Sequence, residues 1–171
     1  MTKILAILFL LSTALATGYA QTLPVKEDRP NLSGMWTLDI AKSDFGQIPA
    51  PTSAHEEITQ TGDTLKFALA SETSYGGRNY AFSLVADGTE QLMPEGTFPT
   101  EAPFKVLSST AEWHGSVLAL SQKASFQGAP GTVRATYTLS PDGKVLTKLS
   151  HISMPMGDFD TRAIFDKQPG L

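Results

Sequence analysis

The sequence predicts an all-β fold, an antiparallel up-and-down β-barrel of about eight to ten strands. Three observations carry that expectation. From residue 33 onward the chain is a succession of short alternating runs rich in Val, Thr, Phe, Tyr and Leu, the period of a half-buried strand. The runs are parted by tight turns, Thr61-Gly62-Asp63, Asp87-Gly88, His114-Gly115 and Ser140-Pro141-Asp142-Gly143, where Gly or Asp tolerates positive φ or Pro presets it. No later segment has a helical period, so successive strands meander, and closing the meander removes the exposed edges that an all-β protein must otherwise protect.

Taken in order, the chain opens MTKILAILFLLSTALATGYAQ: a cation at Lys3, an apolar run, then small residues. This is the pattern of a secretory signal peptide over residues 1–20, with cleavage expected after Ala20 and Ala16 as the competing site. Ser12, Thr13 and Thr17 dilute the run before it reaches the roughly 20 apolar residues of a membrane span. Residues 21–32, polar with two Pro, are expected to form a flexible linker, and residues 33–171 the barrel domain. Strands are expected near 34–41, 54–60, 64–71, 79–86, 90–93, 104–112, 116–126, 131–139, 144–152 and 159–166.

Composition narrows function. With no Cys, the chain has no disulfide, no thiol nucleophile and no thiolate metal site. A formal charge of −4, with Arg29, Arg78, Arg134 and Arg162 scattered, argues against nucleic acid and against an anionic membrane surface as partners. The expected location is therefore secreted or periplasmic.

Gly34-Met35-Trp36, within NLSGMWTLD, resembles the first-strand motif of lipocalins, in which a Gly-x-Trp opens the first strand and the Trp plugs the closed end of the barrel. The run SGMWTLDIAKSDFGQIPAP, with Asp87-Gly88, Trp113, Asp142-Gly143 and Phe165-Asp166-Lys167, is also similar to a group of secreted, lipocalin-like (calycin-type) bacterial proteins whose functions are largely uncharacterised. The resemblance implies an up-and-down barrel and a basic residue near the last strand that covers the Trp. Arg162 is the candidate, although alternation with Phe159, Thr161, Ala163 and Phe165 turns it outward.

The search for chemistry returns no catalytic constellation. His55-Glu56-Glu57-Ile58-Thr59 begins like a zinc-protease motif but has Thr59 where the second His is needed, so its side chains are expected to be exposed polar groups of a strand. Asp158 and Asp160 share one strand face and read as solvated acids. Gly76-Gly77-Arg78 reads as a flexible hairpin loop. Catalytic residues, metal and cofactors are each expected to be none.

What remains is lining. The inward sets are expected to be Trp36, Leu38 and Ile40; Leu65, Phe67 and Leu69; Tyr80, Phe82 and Leu84; and Val133, Ala135 and Tyr137. His151, sharing parity with Val145, Thr147 and Leu149, is expected to point inside as well. The long connection 92–104, bearing Met93 and Phe98, and SMPMGD at 153–158, bearing Met154 and Met156, are expected to form the mouth. The expected ligand-binding residues are Phe67, Tyr80, Phe82, Met93, Phe98, Tyr137 and His151. They serve a non-enzymatic binding protein for a small, mainly apolar molecule; the alternatives are an interaction or inhibitor module with a filled interior and, third, an enzyme using an inward Tyr or His.

Overall fold

The computed structural model describes residues 29–74, 76–99 and 102–169. The expected signal peptide and residues 21–28 of the expected linker lie outside the described residues. Strands β1 (Gly34–Leu38), β2 (Ser53–Thr61), β3 (Thr64–Thr73), β4 (Gly76–Val85), β5 (Glu90–Leu92), β6 (Phe104–His114), β7 (Val117–Phe126), β8 (Ala129–Leu139), β9 (Val145–Met154) and β10 (Gly157–Lys167) match the ten expected runs. They form one antiparallel sheet in the order β4-β3-β2-β1-β10-β9-β8-β7-β6-β5. This is an up-and-down meander in which the last strand returns to pair with the first.

Two boundaries differ from the sequence reading for local reasons. β1 stops at Leu38, because the Asp39 side chain caps a single 3₁₀ turn at Ile40–Lys42 by accepting from the Lys42 backbone N–H, leaving Ile40 exposed rather than inward. β4 starts at Gly76, since Gly77 stays in register with Glu72 instead of looping out.

The barrel has a seam, because β4 and β5 are edge strands and β5 is too short to pair along β4. Gln91 bridges the gap. Its carboxamide accepts from Val85 N and donates to Val85 O, both at 2.8 Å, replacing one rung of the missing ladder.

Turns at Gly62, Gly88, Gly115 and Gly143 gather at one end, and the side chains above them fill it. Leu65, Leu84, Trp113, Leu118 and Leu146 are buried there with Trp36 and Leu32. Trp36 is 1% exposed and donates from Nε1 to the Leu32 carbonyl at 3.0 Å. Leu32 in turn donates its N–H to Gln60 Oε1, and Arg29 pairs with Asp63. Residues 29–32, expected to be linker, thus belong to the fold: Leu32 brings an apolar side chain to the core, and its backbone is tied on both sides.

The basic cover of Trp36 is Lys167, whose ammonium lies 5.1 Å from the ring centroid. Arg162 faces away from Trp36 and forms a backbone bridge with Asp44. Register explains the exchange: Trp36 stands opposite Lys167 in the β1–β10 pair, five residues beyond Arg162. Gly34 makes the contact possible. It has φ +154°, and a Cβ there would come within 2.6 Å of Lys167 Cε.

Trp36→Ala is expected to cost about 3–5 kcal/mol of unfolding free energy, and Gly34→Ala about 1–3 kcal/mol through strain. Denaturant melts measure both. A loss below about 1 kcal/mol for Trp36→Ala contradicts its place in the core.

Candidate functional site

Above the filled end, the same strands enclose a hollow of about 630 Å³. Strand pairing decides which side chains face it. On β10, Phe159, Thr161, Ala163 and Phe165 stand opposite Ile152, Ser150, Lys148 and Leu146 of β9, which stand opposite Val133, Ala135, Tyr137 and Leu139 of β8. Directly paired residues share a face, so the even-numbered residues of β9 are the inward ones. His151 is therefore outward, contrary to the sequence reading. It pairs with Asp160 at 2.8 Å on the outer face, where Leu149 is also exposed.

Seven rings form a continuous arc through the interior. Tyr137 meets Phe67 at 5.8 Å, Phe67 stacks on Phe82 at 5.1 Å, and Phe82 stacks on Tyr80 at 6.2 Å. Phe98 then lies 4.8 Å from Tyr80 and 6.3 Å from Phe104, which meets Phe126 at 5.0 Å. Phe98 thus carries the arc from β4 to β6, across the seam that Gln91 closes lower down. This is what the long connection after β5 does.

Of the expected ligand-binding residues, Tyr80, Phe82 and Tyr137 line the hollow. Phe67, 1% exposed, supports Phe82 and Tyr137 from behind. Phe98 sits over the seam, and Met93 packs against the core cluster. Met154 and Met156 are in the lining, on the β9–β10 hairpin. The structure adds Phe104, Phe126, Arg78 and Lys148, which the sequence reading did not select.

It also corrects Glu56, expected to be exposed and found 1% exposed. Glu56 alternates with Ile58 on β2, and that parity was the available signal for an inward carboxylate. Its Oε1 accepts a hydrogen bond from the Tyr137 hydroxyl at 2.8 Å, across the lumen from β2 to β8. Its Oε2 has no hydrogen-bond partner; Lys148 Nζ is 3.7 Å away and lies 4.9 Å over the Tyr137 ring.

Burial pushes the Tyr80 phenol up to about 12, with the Glu56 charge adding and the Arg78 charge opposing. Burial likewise raises the Tyr137 phenol well above its ordinary value, reinforced by Glu56. Both hydroxyls stay protonated, and that of Tyr137 donates to Glu56 Oε1. Among the described residues no group of three or more His, Asp or Glu is placed to hold a metal.

A separate depression on the outer face of β6 to β10 is lined by Glu112, Arg134, His151, Asp160 and Arg162. Its charges are exposed and of both signs. The interior hollow, ring-lined and open at the mouth, is the better candidate site.

No family model matches the chain, and no curated protein does. A solved structure is similar: zebrafish ileal bile acid-binding protein complexed with cholic acid, with a TM-score of 0.52 and 17% identity over 80% of this chain and 98% of that one. The fold is a lipocalin-like calycin barrel. At this identity the likeness concerns architecture.

The barrel's phenols set a pH dependence at the alkaline end. An unfolded phenol ionises near pH ~10, whereas folded Tyr80 keeps its proton to about 12. In that window the folded chain binds more protons than the unfolded one, so stability falls as pH rises through it. Absorbance titration is expected to show a Tyr80 step near pH 12 that disappears in Tyr80→Phe; a Tyr80 step near ~10 contradicts its burial. Tyr137→Phe, which strips the partner from Glu56 Oε1, is expected to cost about 1–3 kcal/mol in denaturant melts.

Proposed function

We propose that the protein is a non-enzymatic carrier of a small, mainly apolar molecule held inside the barrel. The observation that carries this is the hollow of about 630 Å³ lined by Tyr80, Phe82, Phe104, Phe126, Met154 and Met156. Its volume falls within the usual range for small-molecule sites, roughly 300–1,000 Å³. A ligand losing about 300 Å² of apolar surface there would gain about 7 kcal/mol before the cost of association. The zebrafish protein of similar fold was solved with cholic acid, an amphipathic ligand of suitable size, which supports the reading.

Titration with an environment-sensitive apolar dye is expected to give saturable binding in the micromolar range. Phe82→Asp, with its circular dichroism unchanged, is expected to weaken it at least about tenfold by placing a charge among the rings. If no apolar probe or lipid extract binds, the carrier reading falls, and the exposed loops with Leu92 and Met156 become the place to seek a protein partner.

Export completes the proposal: the apolar leader and the small residues before Gln21 support release of a mature chain starting at Gln21 into the periplasm or medium. Mass measurement of the exported protein tests this, and a mass that still includes residues 1–20 overturns it.

A further inference from the structure

We propose that the ligand is a neutral apolar molecule bearing a hydroxyl group, and that Glu56 and Lys148 receive that hydroxyl together. The inference rests on the carrier reading and specifies the ligand's chemical class.

Three facts carry it. Glu56 is 1% exposed, yet only one of its carboxylate oxygens is hydrogen-bonded: Oε1 takes the Tyr137 hydroxyl, whereas Oε2 has only a loose ion pair with Lys148. A buried acceptor without a hydrogen bond is costly, so a further donor at Oε2 would be stabilising. Lys148 Nζ faces Oε2 across 3.7 Å, beyond hydrogen-bonding distance. Its other close neighbour is the Tyr137 ring face, which offers no lone pair. A buried acceptor without a hydrogen bond thus faces a partly exposed ammonium across a loose ion pair.

There is also space beside them. A second hollow of about 180 Å³ is lined by Glu56, Lys148, Ser150 and Leu69, and the last three also line the large hollow. Lys148, Ser150 and Leu69 form the wall common to both. A molecule whose body lies among the rings can bring one end to this wall.

The pair selects among end groups. A hydroxyl oxygen set beside the pair, off the line that joins them, donates its proton to Oε2 and accepts from Nζ, satisfying both. A carboxylate can accept from Lys148 but brings no proton for Oε2 and sets a second anion beside it; an ammonium can donate to Oε2 but has no lone pair for Nζ and sets a second cation beside it. An ether accepts from Lys148 but leaves Oε2 unpaired. Of these four end groups, the hydroxyl is the one that supplies both a donor and an acceptor and adds no charge.

The test is displacement of the apolar dye from the full chain by dodecanol, by its isomer methyl undecyl ether, by dodecanoate and by dodecylamine. Dodecanol is expected to displace the dye at a concentration at least about tenfold lower than each of the others, the size of one hydrogen bond to a charged group. In Glu56→Gln and in Lys148→Met, the alcohol-to-ether ratio is expected to collapse to about twofold or less. Equal potency of dodecanol and the ether in the unsubstituted protein, with the dye still bound, overturns the hydroxyl proposal and leaves the carrier intact; water then fills the gap. Tighter binding of dodecanoate or dodecylamine overturns it also. Absence of dye binding removes the carrier reading, and this proposal with it. The ligand ranking in the unsubstituted protein decides the matter even where a variant fails to fold.

Discussion

Trp36 sits where the two ends of the chain meet, and the contacts around it close the barrel. Its strand lies between β2 and β10, so the first strand is the piece that joins the two halves of the meander. The indole is fixed from three directions: Leu32 O accepts from Nε1, Lys167 crosses the ring, and Glu56 is its neighbour in register on β2. Gly34 must be a glycine for Lys167 to lie where it does. Without this junction, β1 would have little to hold it, being five residues long, and the sheet would present two more edges.

The Trp36 row also divides the interior. Below it the barrel is filled by buried Leu and Trp side chains; above it small residues such as Ala135 and Ser150 line the hollow with the rings. The hydrogen bond from Tyr137 to Glu56 runs across the lumen at this level, linking β8 to β2 through the interior rather than along the sheet. It ties the far walls where side-chain packing alone ceases to do so. One end of the fold supplies stability and the other supplies volume.

Most of this plan was legible in the sequence, and the parts that were not share a cause. Alternation and turn chemistry located all ten strands, because a period of two and a Gly at positive φ are local properties. The inward faces of β3, β4 and β8 followed from one parity being plainly more apolar. On β9 both parities carry apolar and polar residues, so local reading chose His151; only the register with β10, a non-local fact, puts Lys148 inside. Glu56 was read as exposed because carboxylates usually are, and its strand alternation was outweighed by composition. Lys167 was missed as the cover of Trp36 because the register of first against last strand cannot be read from either alone.

Two of the differences, Glu56 and Lys148, are polar residues of the interior, where sequence and structure are in local conflict. A chain under pressure only to fold would place Leu or Met at position 56, since burying a carboxylate beside a lysine rarely improves on a well-packed apolar pair. Here the burial is incomplete in a particular way: one carboxylate oxygen is satisfied by Tyr137 and the other is left beside a hollow. A pair whose purpose was structural would gain by closing the 3.7 Å gap to a direct bond, and a four-carbon lysine stem has the freedom to do so. Instead the ammonium lies over the Tyr137 ring, on the wall that the two hollows share, and it is this looseness that the proposed hydroxyl would take up. Violations of local preference are expected where a fold serves something beyond its own stability, and Glu56 with Lys148 is the violation in this barrel that borders a hollow.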